Sequence, residues 1–126
     1  MTNQELLAMS ALALAHVGDA VFELKVRTYL CTSGLCVHRN LHRETVARVC
    51  APAQAAFVDR LLPVLTEEEL AVYKRGRNAH VHSIPKNATA AQYGKATGLE
   101  ALFGYLHLSG QPERIDELFK AGQEEK

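Results

Sequence analysis

Leu12-Ala13-Leu14-Ala15-His16-Val17-Gly18-Asp19-Ala20-Val21-Phe22 is an apolar run interrupted by a single acid. Thr97-Gly98-Leu99-Glu100-Ala101-Leu102-Phe103-Gly104-Tyr105-Leu106 has the same character. Neither run alternates as a strand would, and each reads as a buried helix. Each thus carries a carboxylate, Asp19 or Glu100, where burial is costly unless the group is paired, hydrogen-bonded or bound to an ion. Gly18, Gly98 and Gly104 lie inside these runs, and a helical glycine costs roughly 1 kcal/mol relative to alanine. Small residues let two helix backbones come close, which would bring Asp19 and Glu100 within reach of one cation. Magnesium suits such a site, because it takes one or two carboxylates and keeps several waters. The alternative is tight helix packing, with both carboxylates hydrogen-bonded to backbone or hydroxyl groups.

The rest of the chain also reads as helix, giving an all-α fold in one compact domain, residues 1–126. The first helix spans about residues 10–30 and is ended by Thr32-Ser33-Gly34. A second spans about 37–50 and a third runs from about Pro52 to residue 62 or 65. Thr66 has the character of an N-cap, with Glu67, Glu68 and Glu69 in the favourable first turn. That fourth helix should run to about Arg77. Residues 78–89, with Ser83-Ile84-Pro85-Lys86-Asn87, read as a loop. A fifth helix, about 90–109, ends at Gly110 with Pro112 beyond. A last helix starts near Pro112 and places Ile115, Leu118 and Phe119 on one face. There is no repeat, linker or low-complexity tract.

Composition excludes several functions. Aromatic residues make up 6% of the chain and Trp is absent, so stacking platforms for single strands are not advertised. No uncharged apolar run reaches membrane-spanning length. The segment 6–17 lacks a basic leader, so no signal peptide is expected. Cys31, Cys36 and Cys50 are odd in number and lack the spacing of a zinc site, and a reduced cytoplasm is the economical setting. The net charge of zero conceals segregation. Between Glu69 and Glu100 there is no acid, only Lys74, Arg75, Arg77, Lys86, Lys95, His80 and His82. Between Glu23 and Glu44 the chain offers Lys25, Arg27, Arg39, Arg43, His38 and His42. Such blocks can form a local polyanion site in a neutral protein, or they are ordinary solvated helix faces.

The stretch Ala13–Leu24 resembles the signature helix of the ribonuclease III catalytic domain, with its Leu-Gly-Asp-Ala-Val core. The stretch Thr97–Leu106 resembles that family's second acidic motif, a Phe-Glu-Ala-Leu-Ile-Gly pattern. Tyr73-Lys74-Arg75-Gly76-Arg77-Asn78-Ala79 and Ile84-Pro85-Lys86-Asn87-Ala88 are similar to a narrower group, the Mini-ribonuclease III proteins. In that group the catalytic domain stands alone, and no appended RNA-binding domain is expected within these 126 residues. The resemblance covers about residues 10–119. It departs at two places. The family carries an acid four residues before the signature aspartate, where this chain has Ala15, and another three residues before the second-motif glutamate, where it has Thr97.

The resemblance implies a magnesium-dependent endoribonuclease that cleaves double-stranded RNA and leaves 5′-phosphate and 3′-hydroxyl ends. Asp19 and Glu100 would be the catalytic metal ligands. The implied role is maturation of precursor large-subunit (23S) ribosomal RNA by a homodimer. His16 matches the position that inserts into the partner subunit, though a lone histidine on an apolar helix is equally a core residue. Arg75, Arg77, Asn78, Lys86, Asn87 and Lys95 are the candidates for RNA contact, with His80 and His82 nearby. Glu23 could support Asp19 one turn away, or pair with Arg27 at i+4. Ala15 and Thr97 motivate a second reading, a non-catalytic duplex-RNA-binding homodimer. A third is a helical protein-interaction module with structural carboxylates.

Overall fold

A computed structural model describes residues 1–34, 38–79 and 86–123. Among these residues there are seven α-helices and no strand: α1 (Asn3–Ala8), α2 (Ala11–Thr32), α3 (Leu41–Val49), α4 (Ala51–Leu61), α5 (Glu67–Arg77), α6 (Ala90–Leu108) and α7 (Pro112–Gly122). Short 3-10 turns at His38–Asn40 and Leu62–Val64 precede α3 and follow α4.

Local chemistry sets the helix ends. The Ser10 side chain accepts the Ala13 N–H at the start of α2. Thr66 and Glu69 cap α5 reciprocally, each side chain accepting the other's backbone N–H. Thr89 and Gln92 do the same for α6. Gly110, at φ +72°, ends α6, and the Gln111 N–H reaches back to the Leu106 carbonyl. Pro112 then opens α7, where its missing N–H costs nothing.

Three expectations are refined. Helix α1 is additional, and its Thr2–Glu5 capping box is a signal that so short a segment made easy to pass over. The expected second helix is split into a 3-10 turn and α3, and the end of the third becomes a 3-10 turn at Pro63. Its expected start at Val37 lies outside the described residues, as does most of the loop expected at 78–89.

Helix α6 is the axis of the fold. Residues 96–99 and 101–106 are all buried, so it is enclosed on nearly every side. Helices α2, α4, α5 and α7 pack around it. The glycines explain how. A Cβ on Gly18 would collide with the Glu100 carbonyl and the Gly104 nitrogen, and one on Gly104 would collide with the Leu14 carbonyl. Thus α2 and α6 meet backbone to backbone. On another side of α6, Gly98 lies under the Tyr73 ring and against Gly76 of α5. Phe22 joins the layers, with edge-on ring contacts to Phe57 at 5.1 Å, Phe103 at 5.5 Å and Phe119 at 6.0 Å. No helix among the described residues is long and apolar enough to cross a membrane.

Candidate active site

The close approach of α2 and α6 decides what Asp19 and Glu100 can do. Gly18 rests on the backbone of Glu100, so the next side chain along α2 emerges beside the Glu100 side chain. The two carboxyls lie close enough for the Asp19 charge to act on Glu100. They line a cleft of about 450 Å³ together with Cys50, Pro52 and Gln54 from the α3–α4 region and with Asn87 and Tyr93.

The two acids differ in setting. The sequence implied that both carboxylates are buried, whereas Glu100 is half-buried and Asp19 is exposed. The apolar run around Asp19 is one-sided: Leu14, Ala15, Gly18 and Phe22 face inward, whereas Leu12, His16, Asp19 and Ala20 face out. Burial first and then the Asp19 charge push the Glu100 carboxyl up to about 8, while the Gln54 amide opposes the rise. Among the described residues, no cation contributes to that balance.

This arrangement fits a hard divalent ion. Two neighbouring carboxyls that repel when both are charged are relieved by a cation between them. Cleft-lining amides of Gln54 and Asn87 add oxygen-bearing groups. Among the described residues no group of three or more His, Cys, Asp or Glu side chains is poised for a metal. Such an ion would keep several waters, as magnesium does and a structural zinc does not.

The other expected residues divide. Asn87 lines the cleft and the exposed Lys86 precedes it in the same turn. Arg77 and Asn78 lie together at the end of α5: Arg77 Nε donates to Asn78 Oδ1 at 3.2 Å, and its guanidinium sits 5.8 Å from the Tyr73 ring. Lys95 reaches across to α4 and pairs with Asp59 at 2.7 Å. Arg75 points elsewhere, donating to the Met9 carbonyl at 2.8 Å in a pocket shared with Leu7 and Tyr105. Glu23 pairs with Arg27 at 2.7 Å. His16 is exposed on α2. His80 and His82 lie outside the described residues. Ala15 and Thr97 are buried, at 6% and 7% exposure, and the Thr97 hydroxyl donates to the Tyr93 carbonyl.

The residue that the sequence did not disclose is Gln54. It is 2% exposed, lines the cleft, and its Nε2 has no hydrogen-bond partner among the described residues. Nothing in an alanine-rich helix marks a lone glutamine as special.

Comparison with known proteins agrees with this geometry. The Ribonuclease III domain family model matches residues 12–111. A Mini-ribonuclease 3 of Symbiobacterium thermophilum is 47% identical over 115 residues, covering 91% of this chain and 88% of that protein. One from Enterococcus faecalis is 48% identical over 112 residues, covering 87% of this chain and 85% of that protein. A crystal structure of a Fusobacterium nucleatum protein superposes with a TM-score of 0.81 at 31% identity, covering 90% of both chains. The chain belongs to the ribonuclease III domain family, in its Mini-ribonuclease 3 branch, and is an endoribonuclease.

Proposed function

We propose that the cleft between α2 and α6 hydrolyses phosphodiester bonds of double-stranded RNA, with magnesium as the cofactor and precursor 23S ribosomal RNA as the substrate. The observation that carries this reading is the approach of the Asp19 and Glu100 carboxyls in one cleft, with no cation among the described residues acting on Glu100. When bound there, magnesium would polarise a phosphoryl oxygen, activate a water and stabilise the leaving alkoxide. Asp19 and Glu100 hold the ion, directly or through its waters. Asn87 lines the same cleft, as a donor for phosphate or a 2′-hydroxyl. Lys86, Arg77, Asn78 and Lys95 supply positive charge and hydrogen bonds suited to the backbone of an A-form duplex. Attack by water with departure of the 3′-oxygen leaves 5′-phosphate and 3′-hydroxyl ends.

The working unit is a homodimer in the cytoplasm. Helix α2 supports this: beside His16 it exposes Leu12 at 45% and Leu24 at 63%, apolar surface that a second copy would cover. Ala15 and Thr97 give the non-catalytic reading its one specific observation, since both are buried and carry no acid. The two readings separate in one experiment. A long RNA duplex incubated with the protein is cut only with magnesium, and Asp19→Asn and Glu100→Gln each abolish cutting while the fold persists. Binding without magnesium-dependent cutting would sink the catalytic reading.

A further inference from the structure

We propose that Gln54 is a positioning residue, whose buried amide holds the Glu100 carboxylate in the orientation that receives the ion. This role rests on the ion site proposed above. Gln54 is the one side chain among the described residues with a fully buried polar atom that lacks a hydrogen-bond partner. Its surroundings on α4 are apolar: Ala55, Phe57, Val58 and Leu61 are the other buried residues of that helix. A methionine or leucine would fill the same space without stranding a donor, and a stranded buried donor destabilises the fold. Packing therefore does not account for the amide.

The cleft does. Gln54 and Glu100 line it together, from α4 and α6, and the amide lies close enough to Glu100 to act on its charge. An amide nitrogen has two hydrogens to give, and a carboxylate only accepts. The two groups are complementary in kind. Gln54 comes close enough to Glu100 to lower its pKa, yet Gln54 Nε2 makes no hydrogen bond of good geometry to it or to any other described residue. The unused donor is thus aimed at the acid whose orientation the ion site depends on. Groups that orient metal ligands typically contribute about 10–100-fold to metal affinity.

The test is Gln54→Met, close in volume and without the amide. Manganese serves as the probe, its binding to the free protein followed by electron paramagnetic resonance without RNA. Manganese affinity should fall at least about tenfold, while the thermal midpoint holds or rises. Equal affinity in parent and variant overturns the role of Gln54 alone. A parent that binds no manganese overturns the ion site, and this role with it. Should the variant fail to fold, the side-chain amide of Gln54 is followed by nitrogen-15 NMR in the parent. Its resonances should move as diamagnetic magnesium is added, and resonances unmoved at saturation overturn the proposal.

Discussion

The backbone of Gly18 lies against the carbonyl of Glu100, so that no room remains for even a methyl group between α2 and α6. This contact joins the helix that bears Asp19 to the helix that bears Glu100. The same glycine that sets the packing of the domain sets the separation of the two acids. Stability and chemistry here share one structural cause.

Gly18→Ala should therefore be far more harmful than helix propensity implies. Alanine favours an isolated helix by roughly 1 kcal/mol over glycine. Here its Cβ meets backbone atoms, which cannot swing aside as a flexible side chain can. Overpacking of this kind costs about 3 kcal/mol or more. Chemical denaturation should show that loss, and the surviving folded protein should cleave poorly because its acids are forced apart. A variant as stable as the parent would contradict the backbone contact.

The metal-free protein should lose stability as pH rises from about 5 to 8. Glu100 titrates at about 8 in the fold against an ordinary value of 4.5. Between those values the folded state binds a proton that the unfolded chain has released. Stability must then fall with rising pH, by up to ~1.4 kcal/mol per pH unit for one proton. Glu100→Gln should flatten this slope and unfold later than the parent near pH 8. Magnesium should counteract the loss in the parent if, as proposed, it binds the charged pair of the folded state. Thermal melts across pH, with and without magnesium, decide the matter; a parent slope that Glu100→Gln leaves unchanged would refute the assignment.

Much of this was legible in the residues. Thr66 and the three glutamates after it announced α5, because capping chemistry is local and needs no tertiary contact. The glycines announced close helix packing, because nothing else justifies them within an apolar helix. The exposure of Asp19 was not legible. An apolar run hides which of its faces lacks neighbours, and the exposed Leu12 and Leu24 look like core residues until the fold is known. Gln54 was likewise silent: its meaning lies in Glu100, which is distant in sequence and adjacent in space. Arg75 and Arg77 looked equivalent, and only the rotation of α5 sends one to Met9 and the other toward Tyr73 and Asn78.

Arg114 should be among the more consequential residues outside the cleft. It donates twice to Glu69, with both contacts at 2.8 Å, and once to the Val64 carbonyl, tying α7 to the start of α5. Glu69 is 4% exposed. Burial alone would raise its pKa, but Arg114 and the Thr66 cap outweigh that and hold it below 4.5. A lowered acid stabilises above its unfolded value and loses that contribution as pH falls through the folded one. Arg114→Met should cost about 3 kcal/mol at neutral pH by stranding Glu69. The difference from the parent should shrink as pH falls below 4.5 and through the lowered Glu69 value of the parent, where the carboxyl takes up its proton in both. A constant difference across pH would show that the ion pair is not the cause.

Salt dependence should distinguish the basic residues that meet RNA from those that serve the fold. Lys86 precedes Asn87, which lines the cleft, and Arg77 is the last residue of α5. Removing a side chain that touches a phosphate lowers the slope of log affinity against log salt by roughly one unit. Lys86→Ala and Arg77→Ala should each weaken duplex binding and reduce that slope by about one unit. Arg75 is occupied with the Met9 carbonyl, on the side of α5 where Leu7 and Tyr105 lie. Arg75→Ala should leave the slope unchanged and instead lower stability by about 1 kcal/mol, through a loosened α1. Filter binding of a catalytically silent Glu100→Gln background to one duplex, at several salt concentrations, gives all three slopes. If Arg75→Ala lowers the slope as much as Lys86→Ala does, the duplex extends over the α1 side of α5. The RNA-binding surface would then be wider than the cleft.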